Sequence, residues 1–222
     1  MKLSLIKKRA LDAGKGNWGI LIAAFIIYGI INGAAGYTFI ASLILYGPIT
    51  TGYNALYLHR IQNRPPDIAV MFSGFSNFVN TMLLGLVNKL FIALWYLLFV
   101  IPGIIKSLSY SMSYFIMAEH PEIDQSEARR RSIAMMKGNK FRLFCLYLSF
   151  FGWIILSIFT LGILLIWVYP YIMLSTAAFY EDIKGKDPSI NSENAEFANG
   201  FDAAEFMNHV NEEIKNEETD KN

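Results

Sequence analysis

The sequence predicts an all-α, polytopic membrane protein, a bundle of transmembrane helices followed by an acidic tail, and three observations carry that prediction. First, 54% of the 222 residues are hydrophobic and only 17% charged, where a soluble domain carries roughly a quarter. Second, charges are absent over long stretches: 44 residues from Gly16 to His59, 38 from residue 143 to 180, and 51 from 68 to 118 interrupted only by Lys89 and Lys106. About 20 apolar residues cross a bilayer, and a charge at its centre is costly. Third, residues 1–180 hold 15 Lys/Arg against 6 Asp/Glu, while residues 181–222 hold 4 Lys against 12 Asp/Glu. The net charge of +1 therefore conceals a basic membrane body, 1–180, and an acidic cytoplasmic tail, 181–222.

The first uncharged stretch is enough for two crossings, with Asn32-Gly33-Ala34-Ala35-Gly36 as the turn of a helical hairpin. Lys7-Lys8-Arg9, the apolar run from Trp18 and Ala34-Ala35 mimic a signal peptide. Because the rest of the body is equally apolar, an uncleaved first span is the reading adopted. Residues 65–80, with Phe72, Phe75 and Phe78 at helical spacing among polar residues, read as an interfacial helix. In the middle stretch, either Thr81–Ile101 crosses, Pro102-Gly103 turns and Ile104–Ala118 returns, making six spans, or Leu90–Ala118 is one helix kinked at Pro102, making five. Residues 143–180 repeat the hairpin, with Thr160-Leu161-Gly162 as its break. Basic residues cluster in the N-terminal segment, in the 59–67 loop (Arg60, Arg64) and in the 119–142 loop. The positive-inside rule sends all three to the cytoplasm, which needs an even number of crossings between them. Six spans with both termini cytoplasmic follow.

A shift of 122 residues aligns 4–58 with 126–180 without a gap, and 11 of 55 positions are identical. Lys15-Gly16-Asn17 falls on Lys137-Gly138-Asn139, Lys7-Lys8-Arg9 on Arg129-Arg130-Arg131, Thr38 on Thr160 and Pro48 on Pro170. Each copy reads as a Ser N-cap (Ser4, Ser126), a basic helix, a Lys-Gly-Asn stop and a hairpin whose second helix carries a proline. Two such copies would be parallel repeats about an axis normal to the membrane.

Several ordered motifs carry a resemblance. They are Lys8-Arg9-Ala10 before Lys15-Gly16-Asn17-Trp18-Gly19, then the block from Leu94 to Lys106 running into Tyr110-Ser111-Met112, and Met136-Lys137-Gly138-Asn139-Lys140 before Arg142-Leu143-Phe144. Ser149-Phe150-Phe151-Gly152-Trp153, Thr160-Leu161-Gly162-Ile163 and Ala178-Phe179-Tyr180 complete the set. Over about residues 5–183 the chain resembles the integral membrane family called domain of unknown function 975. The resemblance implies a bacterial, multi-pass plasma-membrane protein and supplies no activity. A fainter similarity, a Pro-Gly turn before an acidic-then-basic loop, links it to membrane domains that accompany glycerophosphodiesterases, whose catalytic domain this chain lacks.

No nucleophile elbow, Walker loop, His-Glu-x-x-His or dinucleotide fingerprint occurs, so no catalytic residue, metal or cofactor is assigned and an enzyme is not expected. One cysteine, Cys145, excludes an intrachain disulfide or a cysteine cluster. Glu119, His120, Glu122, Asp124 and Glu127 suggest acid–base chemistry, but Pro121 interrupts them and no second His is near. They read as a solvated connector, with Glu127 complementing a helix dipole.

Two sets of candidate binding residues remain. Lys106 with Ser109, Tyr110 and Ser113 could line a polar groove for an anionic headgroup or solute; alternatively Lys106 snorkels and the hydroxyls join helices. Lys7, Lys8, Arg9, Lys15, Arg129, Arg130, Arg131 and Lys137 would form a collar for anionic lipid headgroups. In the tail, Ala203, Phe206, Met207, Val210 and Ile214 fall at helical spacing, a short amphipathic helix able to dock on the body or on a protein partner. Membrane lipids are the expected partners and nucleic acid is not. The function expected is a non-enzymatic membrane scaffold or interaction protein; the alternative is a passive carrier or channel-like protein moving a small amphiphile or lipid through an inter-repeat groove.

Overall fold

The computed structural model describes residues 3–36 and 39–185, and everything described is helix or connecting turn. The helices are α1 (Leu3–Gly14), α2 (Trp18–Gly36), α3 (Phe39–Ile61), α4 (Phe78–Leu98), α5 (Val100–Tyr110), α6 (Ser113–Glu119), α7 (Gln125–Met135), α8 (Lys140–Leu148), α9 (Phe151–Phe159) and α10 (Leu165–Lys184), with a 3₁₀ helix at Ile68–Phe75. The helices up to Ile183 belong to one compact unit. The amphipathic segment expected around residues 203–214 lies outside the described residues.

Both Lys-Gly-Asn motifs end a helix by the same backbone device. Gly16 and Gly138 adopt φ of +76° and +77°, the left-handed region that glycine enters without a Cβ penalty. The helix that follows the first stop is set at 97° to α1, so α1 does not continue α2. The expected Ser caps are replaced. Ser4 lies within α1, and α7 is capped by Asp124, whose carboxylate accepts from the Glu127 N–H at 2.7 Å while Ser126 donates to it at 2.9 Å. A carboxylate is the stronger partner for unpaired N–H groups at the positive end of a helix.

α3 is the hub. From Gly47 to Leu58 every residue is buried, and α1, α2, the 3₁₀ helix, α4 and α6 all pack on it. Three glycines make this possible. A Cβ at Gly47 would stand 1.9 Å from the Thr81 carbonyl oxygen, one at Gly52 1.9 Å from that of Met71, and one at Gly74 2.0 Å from that of Pro48. Backbone thus meets backbone, as small residues allow at membrane helix interfaces. Three buried polar side chains of α3 are bonded within the bundle: the Tyr57 hydroxyl donates to the Leu21 carbonyl at 3.0 Å and lies 3.0 Å from that of Tyr53, and Asn54 donates to the Thr50 carbonyl at 2.7 Å. The segment expected to be an interfacial helix is instead this 3₁₀ helix, pressed on α3 through buried Met71 and Gly74.

Two expected turns fall elsewhere. Asn32 to Gly36 is helical, with the Asn32 side chain bonded back to the Tyr28 carbonyl at 2.9 Å. The middle hairpin reverses at Phe99, which is extended (φ −158°, ψ 142°), rather than at Pro102-Gly103. Pro102 sits in the first turn of α5, where its missing N–H has no intrahelical partner to lose. That α5 and α6 return along α4 is plain from successive pairs: Tyr96 packs against Gly103, the Lys106 ammonium lies 5.0 Å from the Trp95 ring, and Asn88 donates to Ser113 at 2.9 Å. This is the turn-and-return form of the middle stretch, not one kinked helix. The second hairpin breaks where expected, with Leu161 and Gly162 at φ of +51° and +85°.

Two helical stretches, Phe78–Leu97 and Lys140–Phe159, are long and apolar enough to cross a membrane, or three if the bent pair α1–α2 counts as one span. This is fewer than the six expected. Only 22% of each stretch is buried, so their apolar faces look outward, whereas α3 is buried along residues 47–58.

Candidate functional site

The groove residues are brought together as bundle joints. Ser109 and Ser113 are buried, with their hydroxyls donating to the carbonyls of Ile105 and Tyr110 at 2.8 and 2.7 Å. The Ser109 carbonyl accepts from Ser132 of α7 at 2.7 Å, and the Ser113 hydroxyl accepts from Asn88 of α4. Ser107 and Ser111 likewise bond back within their own turn. Tyr110 is 6% exposed, and Lys106, half-buried, rests over Trp95.

The collar residues sit on separate supports. Lys7 lies 4.2 Å from the Phe150 ring centre and donates to the Ser149 carbonyl at 3.4 Å; burial lowers its pKa. Lys8 is exposed, and Lys15 pairs with Asp12 at 2.6 Å. On α7, Arg129 lies 5.2 Å from the Phe91 ring centre, while Arg130 and Arg131 share Glu127, the latter at 2.9 Å. Glu127 thus offsets charge in its own triplet besides facing the helix N-terminus. Lys137 is exposed. α1 packs on α3, and α7 on α4, α5 and α6.

A cleft of about 480 Å³ opens between α1 and the end of α3, lined by Lys8, Arg9, Asp12 and Arg60 with Leu5 and Ile61. Two arginines cross-link its walls. Arg9 of α1 donates to the Ile61 carbonyl, the last of α3, at 3.4 Å; Arg60 of α3 donates through Nε to the Ala13 carbonyl, in the last turn of α1, at 2.5 Å. Each helix thus places a cation on the other's negative C-terminal end. A second cleft, about 490 Å³, gathers Trp18, Trp153, Trp167 and Tyr171 beside Lys7 and Leu11.

Sequence reasoning missed a polar junction. The Gln62 amide donates to Glu119 at 3.1 Å and to Glu181 at 2.8 Å, and the Tyr180 hydroxyl donates to Glu119 at 2.7 Å. Beside it Arg142 bonds Asp182 at 2.8 Å. Glu119 is therefore a joint of the bundle and not part of a solvated connector. No local pattern pairs the groups around Gln62 and Glu119, whose bonded partners lie 57 to 119 residues apart. His120 and Glu122 pair at the surface at 3.1 Å. Among the described residues no three His, Cys, Asp or Glu side chains are grouped to hold a metal ion.

The block from Leu97 through the Pro102-Gly103 helix start and the second Lys-Gly-Asn stop to the end of α10 is the part of the chain with a family match. Residues 97–187 match the family model described as Protein of unknown function (DUF975). This is the family whose motifs the sequence resembles, and the DUF975 stretch takes in α5 to α10 whole. The N-terminal motifs, from Lys8 to Gly19, lie outside the matched residues. No curated protein matches the chain. No solved structure matches it either.

Proposed function

We propose that this protein is a non-enzymatic membrane scaffold. On this reading the chain crosses the membrane six times, with both termini in the cytoplasm of a bacterial cell, and is built from parallel repeats at about 4–58 and 126–180. Matching left-handed glycines at 16 and 138 and prolines inside both α3 and α10 support the duplication. The observation that carries the scaffold reading is the bonding of the α5–α6 segment: Ser107, Ser109, Ser111 and Ser113 all donate to carbonyls of their own turns, while the Ser113 hydroxyl accepts from Asn88 of α4 and the Ser109 carbonyl from Ser132 of α7. The hydroxyl protons are thus engaged within the segment, and two of its serines tie it to neighbouring helices. The basic residues face the cytoplasmic leaflet and gather anionic lipid; the acidic tail is free to compete for them or to meet a protein partner.

The carrier reading draws on one observation, the cleft that gathers three of the chain's four tryptophans beside Lys7, an arrangement suited to a small amphiphile. Purified protein in liposomes separates the two. A fluorescent phosphatidylglycerol, quenched from outside with dithionite, is expected to flip no faster than in protein-free vesicles, and Lys106→Met is expected to melt at or above the wild-type temperature. Flipping that the protein accelerates would refute the scaffold in favour of the carrier.

A further inference from the structure

We infer that the cleft between α1 and the end of α3 is a specific site for the phosphate of an anionic phospholipid, held by Lys8, Arg9 and Arg60. The inference rests on the reading of these basic segments as the cytoplasmic membrane face, and adds to it a defined pocket and a residue, Arg60, from outside the basic helices. Three cations line the cleft against one carboxylate, Asp12. That carboxylate is already engaged by Lys15 at 2.6 Å, which holds its pKa below the ordinary value. The two arginines are not free to swing away, because each is tied by one bond to the opposite helix, and a guanidinium with five N–H donors keeps others for a ligand. Prepaid ordering of this kind lowers the cost of binding. Lys8, exposed and one turn from Asp12, whose carboxylate feels its charge, completes the set as a point charge on a flexible stem.

A lipid is favoured over a soluble phosphate by what borders the charges. Leu5, in the cleft wall, is 50% exposed. It gives the basic helix an apolar surface that water does not favour and an acyl chain does. The cleft, about 480 Å³, exceeds what a bare phosphate needs and matches the scale of small-molecule sites.

The test uses the full chain in detergent, with bound lipid counted by native mass spectrometry during titration with phosphatidylglycerol or phosphatidylcholine. Wild type should retain phosphatidylglycerol at concentrations where phosphatidylcholine is lost. Lys8→Glu, which touches neither clamp, should weaken phosphatidylglycerol binding about thirtyfold with little change in melting temperature, since each unit of charge near an anionic surface contributes on the order of 1 kcal/mol and the reversal changes two. Asp12→Asn should strengthen it. Lys137→Glu makes the same charge change on the other basic segment, outside the cleft lining, and should weaken binding several-fold less than Lys8→Glu does. Equal losses in Lys8→Glu and Lys137→Glu would overturn the site while leaving a diffuse basic collar standing. No preference for phosphatidylglycerol in wild type would overturn both. Glycerol phosphate binding as tightly as the lipid would overturn the assignment to a phospholipid.

Discussion

Gly52→Ala tests the packing on which the hub depends. The added methyl would lie 1.9 Å from the Met71 carbonyl oxygen, 2.5 Å from its carbon and 3.2 Å from its Cα. An ordinary carbon–oxygen contact is near 3.4 Å, so α3 and the 3₁₀ helix must part by more than about 1 Å, and neither side offers a flexible side chain to yield. Overpacking costs about 1–3 kcal/mol, and with backbone on both sides the upper end applies. For a chain of this length each kcal/mol lowers Tm by about 2–4 °C, which places Gly52→Ala about 6–12 °C below wild type. The control is Gly29→Ala: Gly29 is exposed on α2 with nothing within 4 Å of its Cβ position, and alanine there gains up to about 1 kcal/mol of helix propensity. Tryptophan fluorescence melts in one detergent, with circular dichroism to verify helix content, read both. Gly52→Ala melting at or above wild type would show that α3 and the 3₁₀ helix are not in backbone contact.

Two further outcomes follow from the same geometry. Asp124 accepts from Glu127 N–H, which lowers its pKa, so its contribution is present above the unfolded value and lost as pH falls through the folded one; Asp124→Asn should lower Tm at pH 7 and leave less to lose on acidification below pH 4, and an acid slope equal to wild type would contradict the cap. In a Cys145→Ser background, single cysteines at Gly33 and Thr160 should react with an impermeant maleimide on intact cells while those at Gln62 and Gln125 should not; external labelling at Gln125 would refute the six-span topology.

Features set by solvent or by one residue's own backbone were legible in the chain. The spacing of charges marked the apolar helices because a bilayer penalises a charge wherever it falls. Gly16 and Gly138 marked helix ends because only the left-handed conformation closes those turns, and Thr160-Leu161-Gly162 marked a hairpin for the same local reason. Pairing across the bundle was not legible. Nothing near Gln62 announces Glu119 or Glu181, 57 and 119 residues away, and Glu119 looked solvated because its partners lie at the ends of other helices. Ser109 and Ser113 read as a polar lining, since a hydroxyl facing water and one bonded to its own turn have the same sequence. The reversal at Phe99, rather than three residues later at Pro102, was chosen by how Tyr96 and Gly103 fit together. Local terms select helices and their ends; only tertiary packing, where backbone meets backbone at Gly47 and Gly52 and arginines cap one another's helices, decides which polar groups remain available to a ligand.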